Sequence, residues 1–128
     1  MSNKLDLNEA EFALIKRQVD RLYEHKSRIK PREIRRKEME YKLLKGLQSR
    51  LLQPGIQMLN RNDIRAIEGL CNVGKSALND LILPGYKERL TKAGTDTAMQ
   101  EHYNGYIERA ELTLATYNAI LLKLEVFL

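Results

Sequence analysis

The stretch that decides the fold is residues 64–82, which read IRAIEGLCNVGKSALNDLI. Ile67 and Cys71 are four residues apart, the spacing of two side chains on one face of a helix. A similar apolar spacing recurs after residues 72–74, where asparagine and glycine both tolerate the positive φ of a turn. The pattern therefore predicts two short helices joined by a turn.

This spacing resembles the helix-turn-helix family over about twenty residues. Val73 would plug the turn, and Leu78 and Leu81 would be the inward face of the second helix, residues 75–82. Glu68 departs from the family pattern, which places a small residue where the two helices cross. The resemblance implies a DNA-binding regulator whose second helix enters the major groove.

The resemblance also implies which side chains contact DNA. Asn79 would read an adenine edge, and Lys75 would contact a guanine or a phosphate. Ser76 lies on the same exposed side, whereas Arg61 and Arg65 would contact the phosphate backbone and set the register without reading sequence. We expect Asn62 to cap the first of the two helices.

A second motif overlaps the same segment. Residues 69–76 satisfy GxxxxGKS, in which Lys75 would reach phosphates and Ser76 would hold magnesium. The stretch resembles the first nucleotide-binding motif of the small GTPases related to translation. Such a loop must follow a buried strand, but residues 63–68 carry three charges, and no Asp has a Gly three residues later. We expect no nucleotide site and no cofactor.

The pattern of residues 8–53 predicts a helical hairpin, the alternative being one helix that bends at Pro31 and continues. Asn8 can cap the first helix and Glu11 can complete a capping box. That helix is expected to end near Ile29, and Pro31 is suited to the first turn of the next, which should run to about Gln53. The apolar side of this second helix would consist of Ile34, Tyr41, Leu44, Leu47, Leu51 and Leu52.

The remaining chain also has helical patterns. Residues 60–93 form the helix-turn-helix-like segment, and residues 95–128 predict a long C-terminal helix with three apolar columns at heptad spacing. No stretch predicts a strand. The expected fold is all-α: one domain, residues 1–128, with a helical hairpin, a central helix-turn-helix-like unit and a long C-terminal helix in a bundle-like arrangement.

Charge is unevenly distributed along the chain, whose net charge is +5. Residues 26–53 contain ten basic and three acidic residues, whereas residues 96–128 contain two basic and five acidic residues. On the second helix the basic side chains share one face, which could lie along phosphates or simply be solvated. The residues of this face are Arg32, Arg35, Lys42 and Lys45.

Composition argues against several other classes. The single cysteine, Cys71, excludes an intrachain disulfide and is expected to be a core residue, and the first ten residues carry acids rather than a secretory apolar run. The longest apolar stretch, residues 119–122, is too short for a membrane span. His25 and His102 lack metal-ligand spacing. We expect a cytoplasmic protein that is not an enzyme.

The leading functional hypothesis is therefore DNA binding by a small basic helical protein of the helix-turn-helix type, of the size found in mobile-element or phage genes. We expect it to form a homodimer or higher homo-oligomer through helical faces. Two alternatives remain: a helical interaction or inhibitor module that binds another protein, and an RNA-binding protein with a basic phosphate track.

Overall fold

The structure, a computed structural model, describes the backbone of residues 3–25 and 38–128. Helices dominate these residues and pack around one core, so the predicted all-α, bundle-like class is confirmed. In chain order the elements are β1 (Asn3–Leu7), α1 (Glu9–His25), α2 (Glu38–Arg50), β2 (Gly55–Leu59), α3 (Arg61–Ala77), a π-helical turn (Leu78–Ile82), α4 (Leu83–Lys92), α5 (Thr97–Leu124) and a 3-10 turn (Glu125–Phe127).

A small β-ribbon was not predicted. β1 and β2 pair antiparallel, with Leu5 opposite Gln57. In β1 the inward-facing Leu5 and Leu7 are fully buried, and the alternating residues Lys4 and Asp6 are exposed. Each strand is only five residues long, so its alternation is too brief to stand out from the helical patterns around it.

Both strands run directly into a capped helix. The predicted capping box of α1 is confirmed: the Asn8 amide donates to Glu11 Oε1, and the Glu11 amide donates to Asn8 Oδ1, both at 2.9 Å. α3 begins with the same device, built from Asn60 and Asp63. The prediction that Asn62 caps this helix was wrong, because the helix begins two residues earlier than expected.

The predicted turn at residues 72–74 does not exist. α3 continues through them as regular helix and passes without a break into the π-helical turn and α4. The inward residues Ile67, Cys71 and Leu78 lie in the core that α3 shares with α5. The helix-turn-helix geometry was therefore wrong, since these apolar spacings belong to one helix face rather than two.

The π-helical turn has a local cause in the sequence. Pro84 is the second residue of α4, two positions after the turn ends. Proline has no backbone N–H and its ring clashes with the carbonyl four residues earlier, so an ordinary α-helix cannot pass this position without adjustment. The wider turn provides that adjustment, so the chain stays helical through Pro84 with only a local change of helix geometry.

α1 and α2 pack against each other, as a hairpin requires, but the predicted boundaries at Ile29 and Pro31 lie outside the described residues. α2 ends at Arg50, before the predicted end at Gln53. Leu52 is consequently not part of the apolar side of α2, and it is 79% exposed.

The long C-terminal helix is confirmed as α5, and Asp96 caps its first turn. One of its predicted apolar columns supplies buried residues, namely Ala110, Tyr117 and Leu124. Ile120, from another column, is also fully buried, whereas Leu128 is exposed. α5 contacts α1, α3, α4 and β1, so it closes the bundle.

The buried carboxylates of Glu11 and Asp63, each at a junction between a strand and a helix, form ion pairs with residues of other helices. Arg50 donates from Nε and Nη2 to both oxygens of Asp63, each at 2.6 Å, and this hydrogen bonding raises the pKa of the guanidinium. Lys123 donates to Glu11 Oε1 at 2.5 Å and to the Asp6 carbonyl at 2.9 Å. Each carboxylate thus serves both a capping box and an ion pair.

Candidate nucleic-acid interface

The five predicted contact residues of the central segment lie along a single rod of helix. Arg61 and Arg65 are exposed at the start of α3, whereas Asn79 is exposed in the π-helical turn. The rise of 1.5 Å per residue separates Arg61 from Asn79 by about 27 Å. Ser76 is exposed and Lys75 half-buried between them. These side chains form an extended row along one helix. They do not form the compact DNA-contacting surface that a turn at residues 72–74 would have created.

The GxxxxGKS motif lies in the C-terminal half of α3. Its backbone amides are part of a regular helix, so they are not available to surround a phosphate. Gly69 has open space where a side chain would extend, and Gly74 has Tyr117 there. Gly74 is therefore explained by close helix packing, and the motif has neither the preceding strand nor the loop that phosphate binding requires.

Two of the predicted phosphate contacts are well placed on α2. Lys42 and Lys45 are exposed, while Leu44 and Leu47 on the other side of the helix are buried. Neither lysine forms an ion pair with any residue that the structure describes. Their charges are therefore available to an external anion.

The other two predicted contacts on this face, Arg32 and Arg35, lie outside the described residues. The sequence between α1 and α2 remains the most basic part of the chain. Residues 26–37 contain seven Lys or Arg and a single acid, Glu33. This segment connects α1 to α2 in the sequence.

Sequence reasoning overlooked two arginines on α1. Arg17 and Arg21 are exposed and line a groove of about 330 Å³ between α1, α3 and α5. Thr113 and Tyr117 form the α5 side of this groove. The available signal was the spacing of Arg17 and Arg21, four residues apart on α1 just before the basic segment.

Tyr117 lies where this groove meets the core. Burial raises the pKa of its hydroxyl, and the nearby Cys71 thiol acts in the same direction, while Arg17 and Arg21 oppose the shift. Its ring packs directly over the backbone at Gly74. The groove therefore has two cationic side chains at its rim and a neutral phenol at its base.

The remaining chemically notable side chains have structural roles. Cys71 is fully buried, as predicted, and burial raises the pKa of its thiol to about 12, which leaves it unreactive at neutral pH. Tyr86 and Tyr106 stack with ring centroids 5.2 Å apart and join α4 to α5. His102 packs edge-on against Tyr106 at 4.3 Å.

Among the residues with described positions, no three His, Cys, Asp or Glu side chains form a group suited to a metal ion. Across residues 3–25 and 38–128, no helix combines the length and apolarity needed to cross a bilayer. Comparison with protein-family models, curated proteins and solved structures finds no match to this chain.

Proposed function

We propose that this protein binds DNA through the phosphate backbone, using the basic region at the junction of α1 and α2. The observation that carries the proposal is the charge of residues 26–37, where seven basic residues accompany one acid. Seven cations within twelve residues match the regular negative charge of a duplex, because basic side chains that neutralise phosphates release the counterions condensed on the DNA.

The two helices that flank this segment in the sequence carry further cations. Lys42 and Lys45 are exposed on α2 without an ion pair in the described part of the chain, and Arg21 is exposed on α1. α5 and its C-terminal turn carry the acidic excess of the molecule. A duplex would therefore be drawn to the hairpin side and repelled from α5.

The unbroken helix changes the expected mode of binding. Because there is no turn at residues 72–74, no separate recognition helix begins at Lys75. The geometry that would have let Lys75 and Asn79 contact base edges is therefore absent. Phosphate contacts position a protein but carry no sequence information. We therefore propose binding with little sequence preference, in a regulator or nucleic-acid-organising protein of the cytoplasm.

A salt titration tests this proposal. Fluorescence anisotropy of two labelled duplexes of unrelated sequence, measured at 50 and 200 mM salt, should give similar affinities that fall steeply with salt, by roughly tenfold to a thousandfold for several phosphate contacts. Lys75→Ala with Asn79→Ala should leave both affinities nearly unchanged. Absence of binding at 50 mM salt, or binding that ignores salt, contradicts the proposal, and preferential binding of an RNA hairpin assigns the basic region to RNA.

A second candidate function has its own observation. An apolar groove of about 400 Å³ lies between α1, α2 and α3, and its lining includes Leu22, Leu43, Leu70 and Val73. Val73 is 70% exposed. Grooves of this kind accept the apolar face of a partner helix, which supports a protein-interaction module. The duplex titration separates the two, because such a module requires no nucleic acid.

A further inference from the structure

The outer face of the β-ribbon has an arrangement of side chains that the proposed DNA binding does not use. The inner face is buried, and Gln57 on that face donates to the carbonyls of Gln53 and Gly55. On the outer face Ile56 is 66% exposed and Met58 is 50% exposed. Exposed apolar side chains on a paired ribbon are typical of an interaction surface.

The register places four outward side chains at the corners of a rectangle. Lys4 lies opposite Met58, and Asp6 lies opposite Ile56. One strand thus contributes a cation and an anion, and the other contributes two apolar side chains. The two charges are exposed, and neither side chain forms an ion pair with a residue that the structure describes.

This rectangle is complementary to itself. A second ribbon can be stacked face to face by a twofold axis that is perpendicular to the strands and parallel to the sheet. That rotation reverses the strand direction, so Lys4 meets Asp6 of the second copy and Ile56 meets Met58 of the second copy. The operation creates two ion pairs and two apolar contacts, as an isologous interface requires.

The other simple stacking is unfavourable. A twofold axis parallel to the strands would place Lys4 on Met58 of the second copy and Asp6 on Ile56 of the second copy. Both charges would then lose water without gaining a partner. From this difference we propose that the outer face of the β-ribbon is the interface between two copies of this chain.

The size of the surface sets the expected strength of the dimer. Five-residue strands are about 17 Å long, and Leu52, which lies just before β2, extends the apolar area beside Ile56 and Met58. On so small a ribbon we expect a buried area in the size class of weak, transient interfaces, below about 1,200 Å² in total. The dimer should therefore form reversibly, and its population should rise with protein concentration.

Reversing the charges tests the pairing directly. In sedimentation velocity over a concentration series, Lys4→Glu and Asp6→Lys should each weaken dimerisation at least about tenfold, since like charges then face each other. Mixing the two variants should restore dimerisation, because each reversed charge then meets an opposite one. The double variant Lys4→Glu with Asp6→Lys should also dimerise, which shows that the exposed substitutions do not act by unfolding the ribbon.

Apolar variants distinguish this face from other surfaces. Ile56→Thr should weaken the dimer, whereas Val126→Thr, at a site 81% exposed near the end of the chain, should not. Pairing through the free edge of β1 would respond to the charge reversals but not to Ile56→Thr. A monomer at every concentration, a dimer sensitive to Val126→Thr, or a mixture that fails to dimerise would each overturn the proposal.

Discussion

At the scale of single residues, Gly74 shows how one absent side chain shapes the core. A Cβ at this position would lie 2.5 Å from the Tyr117 hydroxyl oxygen and overlap the ring. α3 and α5 can approach closely only because nothing projects from the helix there. The glycine that suggested a turn, or a phosphate loop, is therefore a packing residue.

Two glycines of α3 should respond in opposite ways to the same substitution. Gly74→Ala forces the Tyr117 ring out of place, and we expect it to lower the free energy of unfolding by about 1–2 kcal/mol despite the better helix propensity of alanine. Gly69→Ala meets no atom within 4 Å and should raise it by about 0.5–1 kcal/mol. Urea unfolding of both variants checks this, and a gain for both would contradict the packing role.

Cys71 makes the stability depend on alkaline pH. Because burial raises the pKa of its thiol from 9.0 to about 12, the folded state holds the proton more tightly than the unfolded chain. The stability that this tighter proton binding contributes to the folded state is fully present below pH 9. It is lost as the pH rises towards 12, and the free energy of unfolding then falls by up to about 1.4 kcal/mol per pH unit. Unfolding free energies measured from pH 8 to 10.5 should fall accordingly.

The matched variant is Cys71→Ala, which should have lower stability at neutral pH and a flatter profile between pH 9 and 10. Above pH 10 a slope should remain in this variant, since the pKa of Tyr117 is also raised by burial. An unchanged slope between pH 9 and 10 would show that another group titrates there.

At the scale of elements, Asn72 distinguishes a turn from a continuous helix. It is exposed in the middle of α3, where alanine is more favourable than asparagine and glycine is less so. Asn72→Ala should therefore raise the free energy of unfolding by a few tenths of a kcal/mol, and Asn72→Gly should lower it. In a turn with positive φ the order would be reversed, so chemical denaturation of the pair decides between the two geometries.

The junction between α2 and α3 depends on one ion pair. Asp63 is 2% exposed, so Arg50→Met would leave a buried carboxylate without its cation and should lower stability by about 3 kcal/mol. Lys92→Met removes a pair with Glu88 that is exposed on both sides and should change stability by less than about 0.5 kcal/mol. Equal effects in thermal unfolding would mean that the buried pair is dispensable.

The sequence predicted those elements whose causes are local. The capping box of Asn8 and Glu11 could be recognised because its partners are three residues apart, and α5 because its apolar spacing repeats many times. The ribbon depends on strand pairing that places Leu5 opposite Gln57, which is more than fifty residues away in the sequence. No local sequence pattern predicts that pairing. Gly74 was ambiguous for the same reason, since only its contact with Tyr117 separates packing from a turn.

At the scale of the whole molecule, charge separation is the main feature relevant to a polyanionic partner. Residues 26–53 carry a net charge of +7, and residues 96–128 carry a net charge of −3. Because the interactions of exposed charges are screened beyond about 10 Å at 0.1 M salt, such asymmetry acts mainly at the face that touches the ligand. Net charge and charge placement should therefore have separable effects on binding.

Two double variants with the same net charge separate these effects. Lys42→Gln with Lys45→Gln removes two cations from the proposed interface, and Lys87→Gln with Arg89→Gln removes two exposed cations from α4. If Lys42 and Lys45 contact phosphates, the first variant should reduce the slope of log K against log salt by about 2 and weaken DNA binding at 50 mM salt, while the second leaves the slope nearly unchanged. Equal loss in both variants would indicate attraction by net charge alone, without a defined binding face.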